Sequence, residues 1–149
     1  MRKSTQLDCP VDFVTVNENR VRMVAFLVLL LAAICFITVN TMIAAFLLVD
    51  FTLRAFNLNK YSPLAFIAGF LVKLLQLKNK PVDRAPKRFA AFVGLSFMVM
   101  ILLALLTDFI TTAKVLLGVL MIFAALESLA GFCAGCYVYS YLKRFGLIK

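Results

Sequence analysis

The chain has 149 residues, of which 64% are hydrophobic and only 15% are charged. Soluble domains average about 45 to 50% apolar and about 25% charged residues, so this composition excludes an ordinary soluble domain and indicates a membrane protein. The net charge is +9 and there is no histidine, which removes the commonest general base and the commonest metal ligand from any site.

The N-terminal part predicts a retained first helix that belongs to a hairpin. The first 22 residues are mostly polar, too long and too acidic for the basic start of a signal peptide. The apolar run Val21–Val39 is then followed, directly after Asn40, by a second run, Thr41–Phe56. Basic residues flank this pair on both sides, at Arg20 and at Arg54. A hairpin places both basic residues on one membrane face. This arrangement agrees with the preference of basic residues for the cytoplasmic side.

Residues 62–78 form a shorter apolar segment. Lys73, Gln76 and Lys80 recur at helical spacing on one side of it. If this segment crossed the membrane, the basic cluster after it would lie outside, against the charge preference. The pattern therefore predicts a helix that lies in the cytoplasmic interface or re-enters it.

The third and fourth apolar runs, Phe89–Leu106 and Thr112 to about Ala134, predict a second hairpin. In this scheme only Lys114 of the 16 Lys and Arg residues falls on the far side, which predicts that both termini are cytoplasmic. The expected fold is an all-α membrane protein. It has four transmembrane helices, arranged as two repeated hairpins, plus the cytoplasmic interfacial or re-entrant helix.

Short matches between the two halves predict a duplicated two-helix unit. Residues 10–12 and 81–83 both read PVD, and the helix entries RMVAF at 22–26 and RFAAF at 88–92 are similar. We expect one integral membrane domain over residues 1–149, with the first repeat at about 9–61, the interfacial helix at about 62–78 and the second repeat at about 80–142. Both copies start and end on the cytoplasmic face, so they run in the same direction.

Three ionisable residues stand out within the apolar runs. Asp50 and Arg54 are four residues apart with the acid first, the favourable order for an ion pair on one helix face. Glu127 has no basic residue one turn away, and the small residues on its helix face predict that it points into the bundle, with Arg54 as its partner. Charges at this depth are costly, so these residues are either a structural set or part of a proton or ion path.

Three of the four cysteines fall on the predicted cytoplasmic face. Cys133 and Cys136 form a CxxC, and Cys9 supplies a third thiol. Three such thiols suit thiol–disulfide exchange with a resolving thiol, transfer of sulfur between thiolates, or a site for a soft metal such as copper(I) or zinc. Cysteines also occur in apolar helices as small hydrophobic residues, which is the interpretation of Cys35 and the alternative for the other three.

Four stretches resemble a known family: CPVDFVTVNENRVR, LRAFNLNKYSPL, NKPVDRAPKRFA and ALESLAGFCAGCYVY. They resemble the bacterial integral membrane family catalogued as domain of unknown function 4395. The resemblance covers nearly the whole chain and implies a small multi-pass protein of the bacterial inner (plasma) membrane without an assigned activity. It also implies a thioredoxin-like or sulfurtransferase protein as a partner.

The leading functional hypothesis is cytoplasm-facing thiol redox chemistry or sulfur handling, with Cys133 and Cys136 as the working dithiol. One alternative is a small transporter or channel that uses Asp50, Arg54 and Glu127. The other is a structural or accessory subunit with inert thiols. The sequence identifies no cofactor. The basic charges flank apolar helices and lack a nucleic-acid recognition motif, so we expect anionic lipid headgroups as their partners, and not nucleic acid.

Overall fold

The structure is a computed structural model that describes residues 15–83 and 85–130, and five helices and two short strands make up this part of the chain. In chain order they are β1 (Thr15–Asn17), α1 (Glu18–Thr38), α2 (Thr41–Ala55), α3 (Pro63–Leu74), β2 (Pro81–Asp83), α4 (Ala85–Leu106) and α5 (Ile110–Ala130). The predicted helical character is therefore confirmed for the described residues.

The first two apolar runs form two helices separated by a sharp turn. α1 begins after Asn17, whose side chain accepts a hydrogen bond from the backbone N–H of Asn19 at 3.1 Å, as an N-cap residue does. It ends before Val39, which has a left-handed backbone with φ of 51°. Asn40 then caps α2 by accepting a hydrogen bond from the N–H of Met42 at 2.8 Å. The helix break predicted at Asn40 is confirmed.

The segment predicted to lie in the interface contains a short helix, α3, of 12 residues. Ser62 caps its N-terminus, and Pro63 occupies the first turn, where a backbone N–H is not needed. At 1.5 Å per residue α3 is about 18 Å long, shorter than the roughly 30 Å hydrocarbon core. One face packs on α1, while Phe66 and Phe70 on another face are exposed. This length agrees with the prediction that the segment does not span.

The two strands place the start of α1 next to the start of α4. β1 and β2 pair antiparallel, with Val16 opposite Val82. We call this the strand end of the bundle. The opposite end, with the turns at Asn40 and Asp108, is the loop end. The order strand, helix, helix thus occurs twice in the described residues, as a duplicated unit would give, and the duplication itself stays a prediction.

Small residues fill much of the bundle centre. Ala32, Ala44 and Ala113 are fully buried. Small side chains let helix backbones approach closely, which is how helices associate when lipid surrounds them. Large apolar side chains such as Ile37 and Leu129 are instead exposed on the outside. An extensive exposed apolar surface of this kind marks a surface that contacts lipid or another protein.

Within the described residues, three helices are long and apolar enough to cross a membrane: Glu18–Thr38, Lys87–Leu106 and Ile110–Leu129. α2 has 15 residues and is therefore about 22 Å long at 1.5 Å per residue. The three long helices indicate a membrane protein. The fourth crossing, by α2, stays a prediction.

Candidate functional site

Asp50 lies at the centre of a polar cluster that joins α2 to α3. Its side chain is fully buried, and its Oδ1 accepts hydrogen bonds from Ser62 Oγ at 2.5 Å and from the N–H of Leu64 at 3.3 Å. Ser62 Oγ in turn accepts from the N–H of Ala65 at 3.1 Å. A carboxylate at a helix N-terminus is stabilised by the N–H groups there and by the helix dipole. Asp50 therefore anchors the start of α3.

Arg54 lies one turn after Asp50, and the predicted ion pair between them is confirmed. Arg54 Nη1 is 3.6 Å from Asp50 Oδ2, longer than a hydrogen bond, and neither atom makes a hydrogen bond to any described residue. The guanidinium also lies over the ring of Phe51, 5.1 Å from the ring centroid. Arg54 is thus held by an ion pair and by a ring, while no described residue accepts a hydrogen bond from its buried Nη1.

The predicted pairing of Glu127 with Arg54 is wrong. Glu127 Oε1 instead lies 3.4 Å from Nζ of Lys87, which is 40 residues away along the chain, on α4. Both side chains are largely buried, with 17% of Glu127 and 14% of Lys87 exposed. Spacing along one helix does not reveal this contact because the two residues lie on neighbouring helices.

Basic side chains converge on one cavity at the strand end, which we call the basic pocket. The pocket has a volume of about 290 Å³. Its cationic lining residues are Arg20, Arg54, Lys87 and Arg88, and its asparagines are Asn17, Asn57 and Asn59. Among the described residues, no acid lines it. The pocket is therefore a concentration of hydrogen-bond donors and positive charge.

Hydrogen bonds to backbone carbonyls fix the positions of Arg20 and Arg88. Arg20 donates Nε and Nη2 to the carbonyl oxygen of Ala65 at 3.1 and 3.0 Å. The Arg20 side chain passes close to Gly69 of α3. A Cβ added at Gly69 would lie 3.3 Å from Arg20 Nε. Arg88 donates Nε at 3.1 Å to the carbonyl oxygen of Ala55, at the end of α2, where carbonyls lack partners within the helix. These bonds position both cations without neutralising them.

The basic pocket has an excess of positive charge. Asp50 forms an ion pair with Arg54, and Glu127 forms one with Lys87. Within the described residues, four lining cations against these two carboxylates leave two positive charges. Such a field inside a concave site attracts anions, and arginine is the side chain best suited to phosphate and carboxylate groups. The arrangement can therefore hold an anionic group.

The predicted thiol site lies outside the described residues. This applies to Cys9, Cys133 and Cys136, and so to the dithiol, the third thiol and the three-thiolate metal site. Cys35 is fully buried in α1, and its Sγ donates to the carbonyl oxygen of Asn40 at 3.6 Å, which agrees with a packing role. Within the described part of the chain, no cluster of three His, Cys, Asp or Glu side chains could hold a metal ion.

The sequence interpretation missed Arg20, Lys87 and Arg88 as site residues. It treats them only as signals of membrane topology and as contacts for lipid headgroups. The stretches that contain them are visible in the sequence, as RVRMVAF at 20–26 and KRFAAF at 87–92. The missing information is the pairing of β1 with β2, which brings the starts of two distant helices together.

The long apolar helices and the apolar outer surface indicate the class of this chain: a helical membrane protein, with a basic pocket at one end of the described bundle. The sequence profile of the family described as "Domain of unknown function (DUF4395)" matches residues 16–144, most of the chain. The chain belongs to this family, as its motifs predict. No protein with a curated description and no solved structure matches it.

Proposed function

We propose that this chain is a membrane protein that binds a small anion in the basic pocket. The observation that carries the proposal is the convergence of Arg20, Arg54, Lys87 and Arg88 on one cavity that no described acid lines. The volume of about 290 Å³ is near the lower end of the roughly 300 to 1,000 Å³ found for ligand pockets. The pocket therefore suits a small ligand or a small part of a larger one.

The donors in the pocket favour an oxyanion. A guanidinium presents N–H groups in a planar fork that matches two oxygens of a phosphate, sulfate or carboxylate group. Among the described residues, Arg20 donates from two of its three guanidinium nitrogens and Arg88 donates from one. A guanidinium carries five N–H donors, so both side chains keep donors that a bound oxyanion can accept from. Arg54 also lines the pocket and adds a third positive guanidinium.

Calorimetric titration of the detergent-purified protein with inorganic phosphate and with sulfate tests this function. We expect the double variant Arg20→Gln/Arg88→Gln to bind at least about tenfold more weakly, since charge-assisted hydrogen bonds contribute roughly 1.5 to 3 kcal/mol each. The matched control is Lys60→Gln/Lys78→Gln, which removes the same charge at two exposed residues that do not line the pocket.

Equal weakening in both double variants would show that general surface charge, and not the pocket, attracts the anion. No measurable binding of either anion to the wild-type protein at millimolar concentration would refute the proposal. Circular dichroism of each variant excludes misfolding as the cause, and the single variant Arg88→Gln serves if the double variant does not fold.

We also propose that the pocket opens to the cytoplasmic side of a bacterial inner membrane, with both termini cytoplasmic. The support is the charge distribution. Arg20, Arg54, Lys87 and Arg88 lie together at the strand end, whereas Lys114 lies toward the loop end, with its Nζ 5.7 Å from the ring centroid of Phe36. Basic residues favour the cytoplasmic face of membrane proteins.

Thiol redox chemistry or sulfur handling is a second candidate function, and its support is the sequence. The CxxC of Cys133 and Cys136, with a third thiol at Cys9, is a set suited to thiol–disulfide exchange or sulfur transfer. Anionic sulfur species delivered by a thioredoxin-like or sulfurtransferase partner would be attracted to the positive charge of the basic pocket.

Alkylation kinetics test the thiol hypothesis. Only the thiolate reacts, so a working dithiol should be modified faster than a buried packing thiol. We expect a variant that keeps Cys133 and Cys136 to react at least about tenfold faster at neutral pH than one that keeps only Cys35. If Cys133 and Cys136 react no faster than Cys35, bind no copper(I) or zinc, and form no disulfide or persulfide, then these thiols are inert.

Transport of the bound anion is the alternative that uses Asp50, Arg54 and Glu127. Arg54 lines both the basic pocket and a groove that reaches toward the bundle centre, and Glu127 lines that groove as well. Uptake of labelled phosphate into proteoliposomes should then fall in Glu127→Ala. Binding without uptake would exclude transport, and absence of binding, uptake and thiol reactivity would favour an accessory subunit.

A further inference from the structure

An apolar groove adjoins the basic pocket at Arg54. The groove lies between α1, α2, α4 and α5 and has a volume of about 80 Å³. Arg54 and Glu127 are the charged residues among its described lining, and the rest of the lining is apolar, with Val93 and Phe97 on α4. Arg54 lines both cavities, so the basic pocket and the apolar groove share a wall.

The apolar groove runs away from the charge and toward the middle of the bundle. On α4 its lining extends from Ala90 to Phe97, which is about 10 Å at 1.5 Å per residue. On α5, which runs the other way, it extends from Glu127 back to Leu120. The two cavities together therefore have a charged end at the strand end and an apolar end within the bundle.

The ion pair between Lys87 and Glu127 joins the two cavities a second time. Lys87 lines the basic pocket and Glu127 lines the apolar groove, and their charged atoms are 3.4 Å apart. This contact places a cation next to the one described acid of the groove. The positive charge of Lys87 therefore offsets the negative charge of Glu127 at the place where a ligand that reaches from the pocket into the groove would lie.

We propose that the basic pocket and the apolar groove form one site for an anionic phospholipid of the surrounding membrane. The phosphate lies in the basic pocket and the first part of one acyl chain lies in the apolar groove. The groove volume corresponds to fewer than three waters at about 30 Å³ each, so it encloses only a short stretch of chain and the rest stays in the bilayer. This inference rests on the proposed function, because it names the ligand class of the same pocket.

Charge and position together favour a lipid over a soluble anion. A soluble phosphate uses only the basic pocket and gains nothing from apolar walls beside it. Burial of methylene groups contributes about 0.8 kcal/mol each in transfer from water. The three long helices that border the groove, α1, α4 and α5, are those able to cross a membrane, so acyl chains are the apolar material beside it.

Native mass spectrometry of the full chain in a neutral detergent tests the inference with three probes: phosphatidylglycerol, phosphatidylcholine with the same acyl chains, and glycerol phosphate. We expect phosphatidylglycerol to bind at least about tenfold more tightly than either other probe. Val93→Phe fills the groove and should weaken phosphatidylglycerol binding at least about fivefold while leaving glycerol phosphate binding unchanged. Val99→Phe is the matched control, because Val99 is exposed on the same helix and lines neither cavity.

The outcomes separate the inference from the proposed function. If phosphatidylglycerol binds no more tightly than glycerol phosphate, or if both Phe variants weaken it equally, then the groove holds no acyl chain, while the pocket still binds anions. If neither phosphatidylglycerol nor glycerol phosphate binds, both proposals fail. Should Val93→Phe not fold, a phosphatidylglycerol with a photoreactive acyl chain is used on the wild-type protein. Crosslinks at Val93 or Phe97 support the inference, and crosslinks only at exposed positions such as Val99 overturn it.

Discussion

Groups near the helix ends find their hydrogen-bond partners in different ways at the two ends of the bundle. At the loop end the partners are close in sequence, as where Asn40 accepts from the N–H of Met42. At the strand end a local cap at Asn17 is joined by distant partners. Arg88 donates to the carbonyl of Ala55, 33 residues before it, and Arg20 donates to a carbonyl 45 residues further along the chain.

This difference shows where tertiary structure is needed. Local caps form whenever the adjacent residues are helical, so the loop end depends little on the rest of the fold. The strand end exists only when β1, β2 and four helix ends are in place. Changes at the strand end should therefore have larger effects than the same changes at the loop end.

Membrane topology gives the sharpest test of the comparison, because its outcome is all or none. A reporter that is active only in the cytoplasm, fused after Lys60, should be active, and the same reporter fused at Asn40 should not. The physical reason is the preference of basic residues for the cytoplasmic face. Equal activity at both positions would place the two ends on one side and remove the basis of the comparison.

Loss of the Asp50 charge should have the largest effect on stability. Asp50→Asn removes one partner of a buried ion pair, which typically costs about 3 kcal/mol or more. Asp108→Asn is the control, since Asp108 is an exposed turn residue with φ of 58°, a conformation that Asn also tolerates. Unfolding in mixed detergent micelles measures both changes. Equal losses at the two positions would contradict the prediction.

A methyl group added at Gly94 should have a smaller but clear effect. A Cβ at Gly94 would overlap the ring of Phe51, and overpacking of this kind costs about 1 to 3 kcal/mol. At Gly118, on α5, no described atom lies within 4 Å of an added Cβ, so Gly118→Ala should stabilise the helix by up to about 1 kcal/mol. The same unfolding assay measures whether the free energy of unfolding falls in the Gly94 variant and rises in the Gly118 variant. Destabilisation by Gly118→Ala would show a contact at that helix surface.

The smallest effect is expected for the cation nearest the loop end. Lys114 is exposed, and Lys114→Gln removes its contact with the Phe36 ring, so the free energy of unfolding should change by less than about 0.5 kcal/mol. Phosphate affinity should be unchanged, in contrast to Arg88→Gln. Titration calorimetry compares the two variants. A loss of affinity in Lys114→Gln comparable to that in Arg88→Gln would mean that the anion does not bind at the strand end.

The features that sequence predicts correctly are those with local causes. The break at Asn40 follows from a polar residue that separates two apolar runs. The short helix α3 lies in a segment where Lys73, Gln76 and Lys80 recur at helical spacing. The pair of Asp50 with Arg54 follows from helical spacing. Each of these signals lies within a few residues, so no knowledge of packing is required.

The features that sequence does not predict are contacts between distant elements. Lys87 lies on a different helix from Glu127, and no spacing rule connects them. The strands have three residues each, too few for an alternating pattern to identify them. Ser62 is recognisable as a cap, but its hydrogen bond to Asp50 depends on how α3 folds back onto α2. The basic pocket depends on all of these contacts.

The pairing of β1 with β2 has a consequence for biogenesis. Pro81 is 64 residues after its partner Asn17 (81 − 17 = 64), and at a translation rate of about 5 to 20 residues per second the ribosome needs roughly 3 to 13 s to make the intervening chain. By the end of that interval the first helix pair and α3 have been synthesised, while Lys87 and Arg88 have not. The nascent first half therefore carries only Arg20 and Arg54 of the four lining cations, and the basic pocket is complete only late in synthesis.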